Sequence, residues 1–154
     1  MAATSAGLLV YRLEASAVQV LLGHPGGPFW AKRDAGAWSI PKGEHGPDET
    51  PLDAARREFQ EELGVAPPDS PVLDLGTTRL KSGKLIRAFA VEGELDPAAI
   101  APGEFEMEWP PKSGRTGRFP EIDRVEWFFL DEARTRLNPA QGVFLDRLGD
   151  ALPR

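Results

Sequence analysis

Between Thr50 and Gly64 the chain carries the start and stop signals of one short helix with an unusually charged flank. Thr50 is a good N-cap, Pro51 suits the first helical position, and Asp53 at N3 can reach back in a capping-box arrangement. Gly64 fits the left-handed position past the last turn, and Pro67-Pro68 forbid continuation. Glu58, Glu61 and Glu62 are spaced i, i+3, i+4, so on a helix they share an arc of roughly 100°. Leu52, Ala55, Phe59 and Leu63 form a separate apolar stripe about a quarter to a third of a turn away. The spacing predicts a helix that docks one flank on a core and presents three carboxylates from the next. Like charges this close cost a few tenths of a kcal/mol per pair in water. A divalent cation removes that cost, and hard oxygen ligands suit Mg²⁺ or Mn²⁺. Taken alone, the three glutamates also fit a solvated acidic face.

The 154 residues suit a single domain spanning 1–154, with 41% apolar and 27% charged residues, ordinary for a globular chain. With no cysteine, disulfides and thiolate metal sites are excluded. Residues 1–7 lack a basic region followed by a long apolar run, so no signal peptide is expected; nor is a membrane span, and the expected compartment is cytoplasmic. A net charge of −6 argues against broad nucleic-acid binding while leaving room for a phosphorylated small molecule.

Along the chain, Ala6 to Leu13 and Ala17 to Leu22 read as a hairpin. His24-Pro25-Gly26-Gly27-Pro28 opens a loop reaching about Gly36. Its Phe29, Trp30, Lys32 and Arg33 suit either a nucleotide pocket or the edge of a core. Trp38-Ser39-Ile40 reads as a short strand. Val72 to Leu80 and Lys84 to Glu92 read as a second hairpin, the most basic region, with Arg79, Lys81, Lys84 and Arg87. These four fit phosphate contact or a charge-protected edge. Leu95 to Ile100 suits one helical turn. Glu104 to Trp109 alternates, with Phe105, Met107 and Trp109 on one side, and Lys112 to Phe119 reads as a Gly/Arg-rich loop. Arg124 to Leu130 reads as a strand, Asp131 as the cap of a short helix, and Pro139 to Leu148 as a last helical stretch. The isolated loop histidines His24 and His45 read as solvated. The element pattern is α+β.

The stretch from Gly43 to Val65 resembles the Nudix box, G-x5-E-x7-R-E-U-x-E-E-x-G-U, with U a bulky apolar residue. Gly43, Glu49, Arg57, Glu58, Phe59, Glu61, Glu62, Gly64 and Val65 fall on its fixed positions without a gap. Phe59 departs mildly, since an aliphatic residue is commoner there. The resemblance implies the Nudix fold, a mixed β-sheet sandwiched between α-helices. It also implies metal-dependent hydrolysis of a pyrophosphate bond in a nucleoside diphosphate linked to another moiety, with Mg²⁺ or Mn²⁺ as cofactor and a phosphorylated nucleotide as partner. Glu58, Glu61 and Glu62 would then be metal ligands, joined by the backbone carbonyl of Lys42. Arg57 would orient the glutamates, supported by Glu49.

The general base is open between Glu61 or Glu62 and Glu121. Glu121 sits six residues before Trp127, where diadenosine polyphosphate hydrolases of the superfamily carry an acid, and is also a candidate late metal ligand. Trp38-Ser39-Ile40-Pro41-Lys42-Gly43 is similar to their W-x-x-P-K-G entry, in which the lysine holds phosphate. Lys32, Arg33 and Arg87 are further candidates for substrate binding. Their downstream tyrosine is missing, as is the proline marking ADP-ribose hydrolases. Neither subclass marker is met, and on the W-x-x-P-K-G likeness dinucleoside polyphosphates are the leading substrate class. The alternatives are a house-cleaning hydrolase of damaged nucleoside triphosphates and a non-catalytic nucleotide-sensing or protein-binding domain.

Overall fold

A computed structural model describes residues 4–152. Residues 1–3, part of the stretch read above for a signal peptide, and residues 153–154 lie outside the described residues. Strands β1 (Thr4–Glu14) and β2 (Ala17–Pro25) form the expected hairpin. Its two-residue turn, Ala15-Ser16, has positive φ at both positions, the twist that suits a tight hairpin. β3 (Lys42–Glu44) leads to helix α1 (Pro51–Leu63). The hairpin of β4 (Val72–Arg79) and β5 (Leu85–Glu92) follows as expected, then a 3₁₀ turn at Pro97–Ala99. β6 (Glu104–Glu108) and β7 (Thr116–Pro120) make a separate two-stranded sheet. The chain ends in β8 (Ile122–Phe129), α2 (Leu130–Arg136), a 3₁₀ turn at Pro139–Gln141, and α3 (Val143–Ala151).

The main sheet runs β4-β5-β1-β2-β8, with β3 added beside the start of β1. β1 and β5 are parallel and every other pairing is antiparallel, so the sheet is mixed. Side chains alternate across β1, which is buried on both faces. Ala6, Leu8 and Val10 meet Ala54, Ala55, Phe59 and Leu63 of α1, with Phe89 and Val91 of β5. Leu9 and Tyr11 face the other way, into a core shared with Ala133 of α2 and Phe144, Leu145 and Leu148 of α3. One helix on one face and two on the other make the expected sandwich. Phe59, fully buried, alone contributes on the order of 2–3 kcal/mol of apolar burial. No helix among the described residues is long and apolar enough to cross a membrane.

Helix α1 has the ends read from its sequence. Thr50 Oγ1 accepts from the Asp53 amide at 3.2 Å, and Gly64 adopts φ 71°. A Cβ on Gly64 would lie 2.0 Å from the Ala101 carbonyl oxygen. Gly64→Ala therefore adds a backbone clash to left-handed strain; we expect a loss of about 1–3 kcal/mol in chemical denaturation.

Three expectations need correction. Trp38-Ser39-Ile40 is not a strand, because its backbone groups are divided among different neighbours. Trp38 bonds to Arg136 and Asn138, Ser39 to Gly23, and the Ile40 amide to the side chain of Gln141. The short strand begins after Pro41. Residues 116–120 are a strand rather than loop, since β6 supplies a complete ladder and Arg118 reaches Glu104 and Glu106 at 3.4 Å. Asp131 lies in the first turn of α2 and does not cap it; Phe129 holds the N-cap position without a side-chain bond.

Candidate active site

The site is built from the exposed flank of α1, the short strand β3 and the start of β8. Glu58 and Glu62 lie one turn apart on α1 and face β3, which runs antiparallel beside residues 5–7 of β1. The Lys42 amide donates to Glu62 Oε2 at 3.0 Å. Next to it, the Glu58 carboxylate packs onto the bare Cα of Gly43, where a Cβ would sit 2.0 Å from Cδ and 2.1 Å from Oε2 of Glu58. Glycine is needed at 43 for this approach, since any larger residue fills the space of the carboxylate.

Arg57 ties the acids together. Its Nε and Nη2 meet both oxygens of Glu49 at 2.8 Å, a bidentate pair. Nη1 donates to Glu58 at 2.9 Å and to both oxygens of Glu61 at 3.1 and 3.2 Å. These bonds to Glu49, Glu61 and Glu58 hold the guanidinium above its ordinary pKa, while the Glu49 carboxyl is held below its own, chiefly by Arg57. Arg57 thus bonds Glu49, Glu58 and Glu61 at once.

Glu121 closes the group from the other side. It stands between β7 and β8, its amide bonded to Gly103 and its carbonyl to Gly26. Burial pushes the Glu62 carboxyl from 4.5 up to about 8, helped by the charges of Glu121 and Glu58 and opposed by the Lys42 amide. The Glu121 carboxyl is raised too, by desolvation first and then by Glu58 and Glu61. Four carboxyls therefore sense one another across α1 and the β7–β8 junction.

Among the described residues, no three acidic or histidine side chains are already converged on one point as a cation cage. Arg57 holds Glu58 and Glu61, and a backbone amide holds Glu62. The donor chemistry nonetheless fits a hard divalent ion: oxygen ligands, crowded until two of them bind protons above their ordinary range. Glu58, Glu61 and Glu62 share one flank of α1, and Glu121 acts on them from the β7–β8 junction.

The candidate phosphate-binding residues fall in three places. Lys42 is half-buried in β3, beside the glutamates. Lys32 and Arg33 lie exposed on the loop after β2, with the Arg33 guanidinium 4.3 Å over the Phe29 ring. Arg87 lies opposite Ala6 on β5, paired with Asp74 at 2.5 Å and stacked 5.3 Å from Phe89. Lys84 pairs with Glu44 at 2.6 Å, and Arg79 bonds to the Gly83 carbonyl. Much of the basic hairpin thus braces itself and β3.

His24 is not solvated. It is fully buried, with Nδ1 3.0 Å from both oxygens of Asp123 and Nε2 2.5 Å from the Arg33 carbonyl. The histidine–aspartate pair leaves no local signal in the sequence, because its partners are 99 residues apart. The half-buried His45 uses Nδ1 on the Gly46 carbonyl, and its buried Nε2 has no partner among the described residues.

Similarity to known proteins agrees with this architecture. Over 55 residues, 35% of this chain, the sequence is 44% identical to an RNA pyrophosphohydrolase of Stenotrophomonas maltophilia, covering 27% of that protein. An RNA pyrophosphohydrolase of Pseudomonas putida is 42% identical over the same length, 35% of it covered. The chain thus spans about a third or less of the curated relatives it matches. Among solved structures, the Caenorhabditis elegans Ap4A hydrolase aligns over 99% of this chain and 100% of its own, with TM-score 0.62 and 20% identity. The NUDIX domain of Shewanella oneidensis NrtR, solved with ADP-ribose, aligns over 99% and 90%, with TM-score 0.65 and 15% identity. At such identities these likenesses concern the fold. A family model for the NUDIX domain matches residues 2–148, nearly the whole chain, and the protein belongs to that family.

Proposed function

We propose that this chain hydrolyses a pyrophosphate bond in a nucleoside diphosphate linked to another moiety, with dinucleoside polyphosphates the leading substrate class. The observation that carries the reading is geometric: Glu58 packs on the bare Cα of Gly43, Glu62 takes the Lys42 amide at 3.0 Å, and Glu121 stands close enough to raise the proton affinity of Glu62.

Glu58, Glu61, Glu62 and Glu121, with the Lys42 carbonyl, are the groups that would hold Mg²⁺ or Mn²⁺. Bound there, such an ion neutralises phosphate charge and acidifies water. Arg57 keeps Glu58 and Glu61 oriented while Glu49 anchors Arg57. Lys42 carries positive charge toward the substrate's phosphates, and Lys32 and Arg33 extend it along the loop after β2. Arg87 reaches phosphate only by releasing Asp74. Among the described residues, the Glu121 side chain has no hydrogen bond to Arg57 or to a backbone amide. Its raised proton affinity suits the general base that accepts the proton of the attacking water at a carboxylate oxygen.

The testing experiment is a turnover panel with Mg²⁺ and with Mn²⁺: dinucleoside polyphosphates, ADP-ribose, nucleotide sugars and oxidised nucleoside triphosphates. We expect kcat/KM for a dinucleoside polyphosphate to exceed that for the triphosphates at least tenfold. Preference for oxidised triphosphates overturns the substrate assignment, and no metal-dependent turnover of any member overturns the reaction.

A further inference from the structure

The hairpin of β6 and β7 stands apart from the main sheet, and its two faces differ. Glu104, Glu106 and Arg118 form ion pairs on one side. Phe105, Met107 and Phe119 share the other, with the two phenylalanine rings 6.1 Å apart. That apolar side lies over the loop after β2. Phe105 Cζ is 3.1 Å, and Met107 Sδ 3.8 Å, from the point a Cβ on Gly27 would occupy. Two residues further on, the Phe29 ring is 53% exposed, crossed edge-on by Trp30 at 5.0 Å and covered by Arg33.

This loop is built, not loose. His24, fully buried, ties the Arg33 carbonyl to Asp123, both of whose oxygens lie 3.0 Å from Nδ1. Asp123 is two residues from Glu121, and the Gly26 amide bonds to the Glu121 carbonyl at 3.0 Å. The aromatic loop is thus fixed to the same stretch that carries a carboxyl of the site. The single tyrosine, Tyr11, is 7% exposed. The exposed aromatics among the described residues are Phe29, Trp109 and Phe129, and Phe129 sits at the end of β8 remote from Glu121.

We infer that Phe29, rimmed by Arg33 on a loop that Phe105 and Met107 approach at Gly27, stacks the base of the nucleotide whose phosphates meet the glutamates. The inference rests on the nucleotide reading above. The planar Arg33 guanidinium lies 4.3 Å over the ring, so the face has room for a flat group, and a base takes that place when Arg33 turns to phosphate. Lys32 and Arg33 on the same loop complement the phosphates that follow the base. Base–aromatic stacking is tolerant of base identity, so this ring selects for a nucleoside over a bare phosphate chain.

The test is an NMR titration of the full chain with AMP and, separately, with ribose 5-phosphate, both with Mg²⁺. Wild type is expected to bind AMP at least tenfold more tightly. Phe29→Ala, at an exposed position, is expected to raise the AMP dissociation constant about tenfold and leave ribose 5-phosphate unchanged, with Phe29→Trp restoring AMP binding. Equal affinity of wild type for the two ligands, unchanged AMP binding in Phe29→Ala, or parallel loss of both ligands overturns the inference. Turnover is not needed here. Selective AMP binding by a chain that hydrolyses nothing upholds the stacking on Phe29 and defeats the proposed reaction, while turnover without base selectivity does the reverse.

Discussion

Glu62→Gln is expected to lower kcat about 10³-fold, the several kcal/mol that a charge-neutralising site contributes to such a reaction. The same substitution is expected to stabilise the protein at high pH, which separates loss of function from loss of fold. The sign follows from the carboxyl itself. In the folded chain Glu62 titrates near pH 8, against an ordinary value of 4.5. Between these the native state keeps a proton that the unfolded chain has released. Stability is therefore fully present below the unfolded value, falls as pH rises through the interval, and is lost above the folded value. Glutamine carries no charge to desolvate, so this part of the pH dependence disappears. In EDTA at pH 9 the variant should melt above wild type, by roughly 2–4 °C for each kcal/mol regained, and near wild type at pH 5. Glu121→Gln makes the contrast, with kcat down about 10²-fold as expected for a lost proton acceptor. A Glu62→Gln variant with wild-type kcat, or one less stable than wild type at pH 9, contradicts the role given to this residue.

Gly43→Ala is expected to reduce kcat about 10²-fold with little loss of stability. The new Cβ meets Cδ and both oxygens of Glu58 between 2.0 and 2.4 Å. These atoms end a flexible side chain, so the fold escapes by swinging Glu58 away. That displacement separates the carboxylate from Glu62 and from the Arg57 bond at 2.9 Å. Misplacement of about 1 Å within such a constellation is enough for a loss of this size. Gly64 meets a backbone oxygen instead, so alanine there should cost stability. Steady-state kinetics and thermal melts of the two alanine variants distinguish the cases: low kcat with a near-normal melt at position 43, and a lowered melt at position 64.

What could be read from the sequence was whatever depends on near neighbours. Helix α1 announces itself because Thr50, Pro51 and Gly64 act within a turn of their own positions. The β1–β2 and β4–β5 hairpins were legible because alternation and turn residues lie side by side. β7 was not, because Thr-Gly-Arg-Phe-Pro has little strand character and gains it by pairing with β6. Trp38 looked like a strand residue because it is apolar and followed by Ile40. Its burial comes from Phe128 and His24, whose rings approach at 5.0 and 5.1 Å from distant parts of the chain. His24 was misread for the same reason, since nothing beside it in sequence says that Asp123 will be its neighbour. In the site, the α1 glutamates were readable from spacing, and Glu49 and Arg57 only through the resemblance to the Nudix box. The Gly43–Glu58 contact and the mutual influence of Glu62 and Glu121 exist only once β3 and the β7–β8 junction are folded against α1.

Mn²⁺ binding followed by electron paramagnetic resonance tests most directly whether the α1 glutamates are ligands of a divalent ion. Wild type is expected to take up Mn²⁺ with loss of the free-ion signal, in competition with Mg²⁺, while a Glu58→Gln, Glu62→Gln double variant with an unchanged fold leaves the signal free. Undiminished Mn²⁺ binding by that double variant, or a wild-type chain that leaves the free-ion signal untouched, contradicts it.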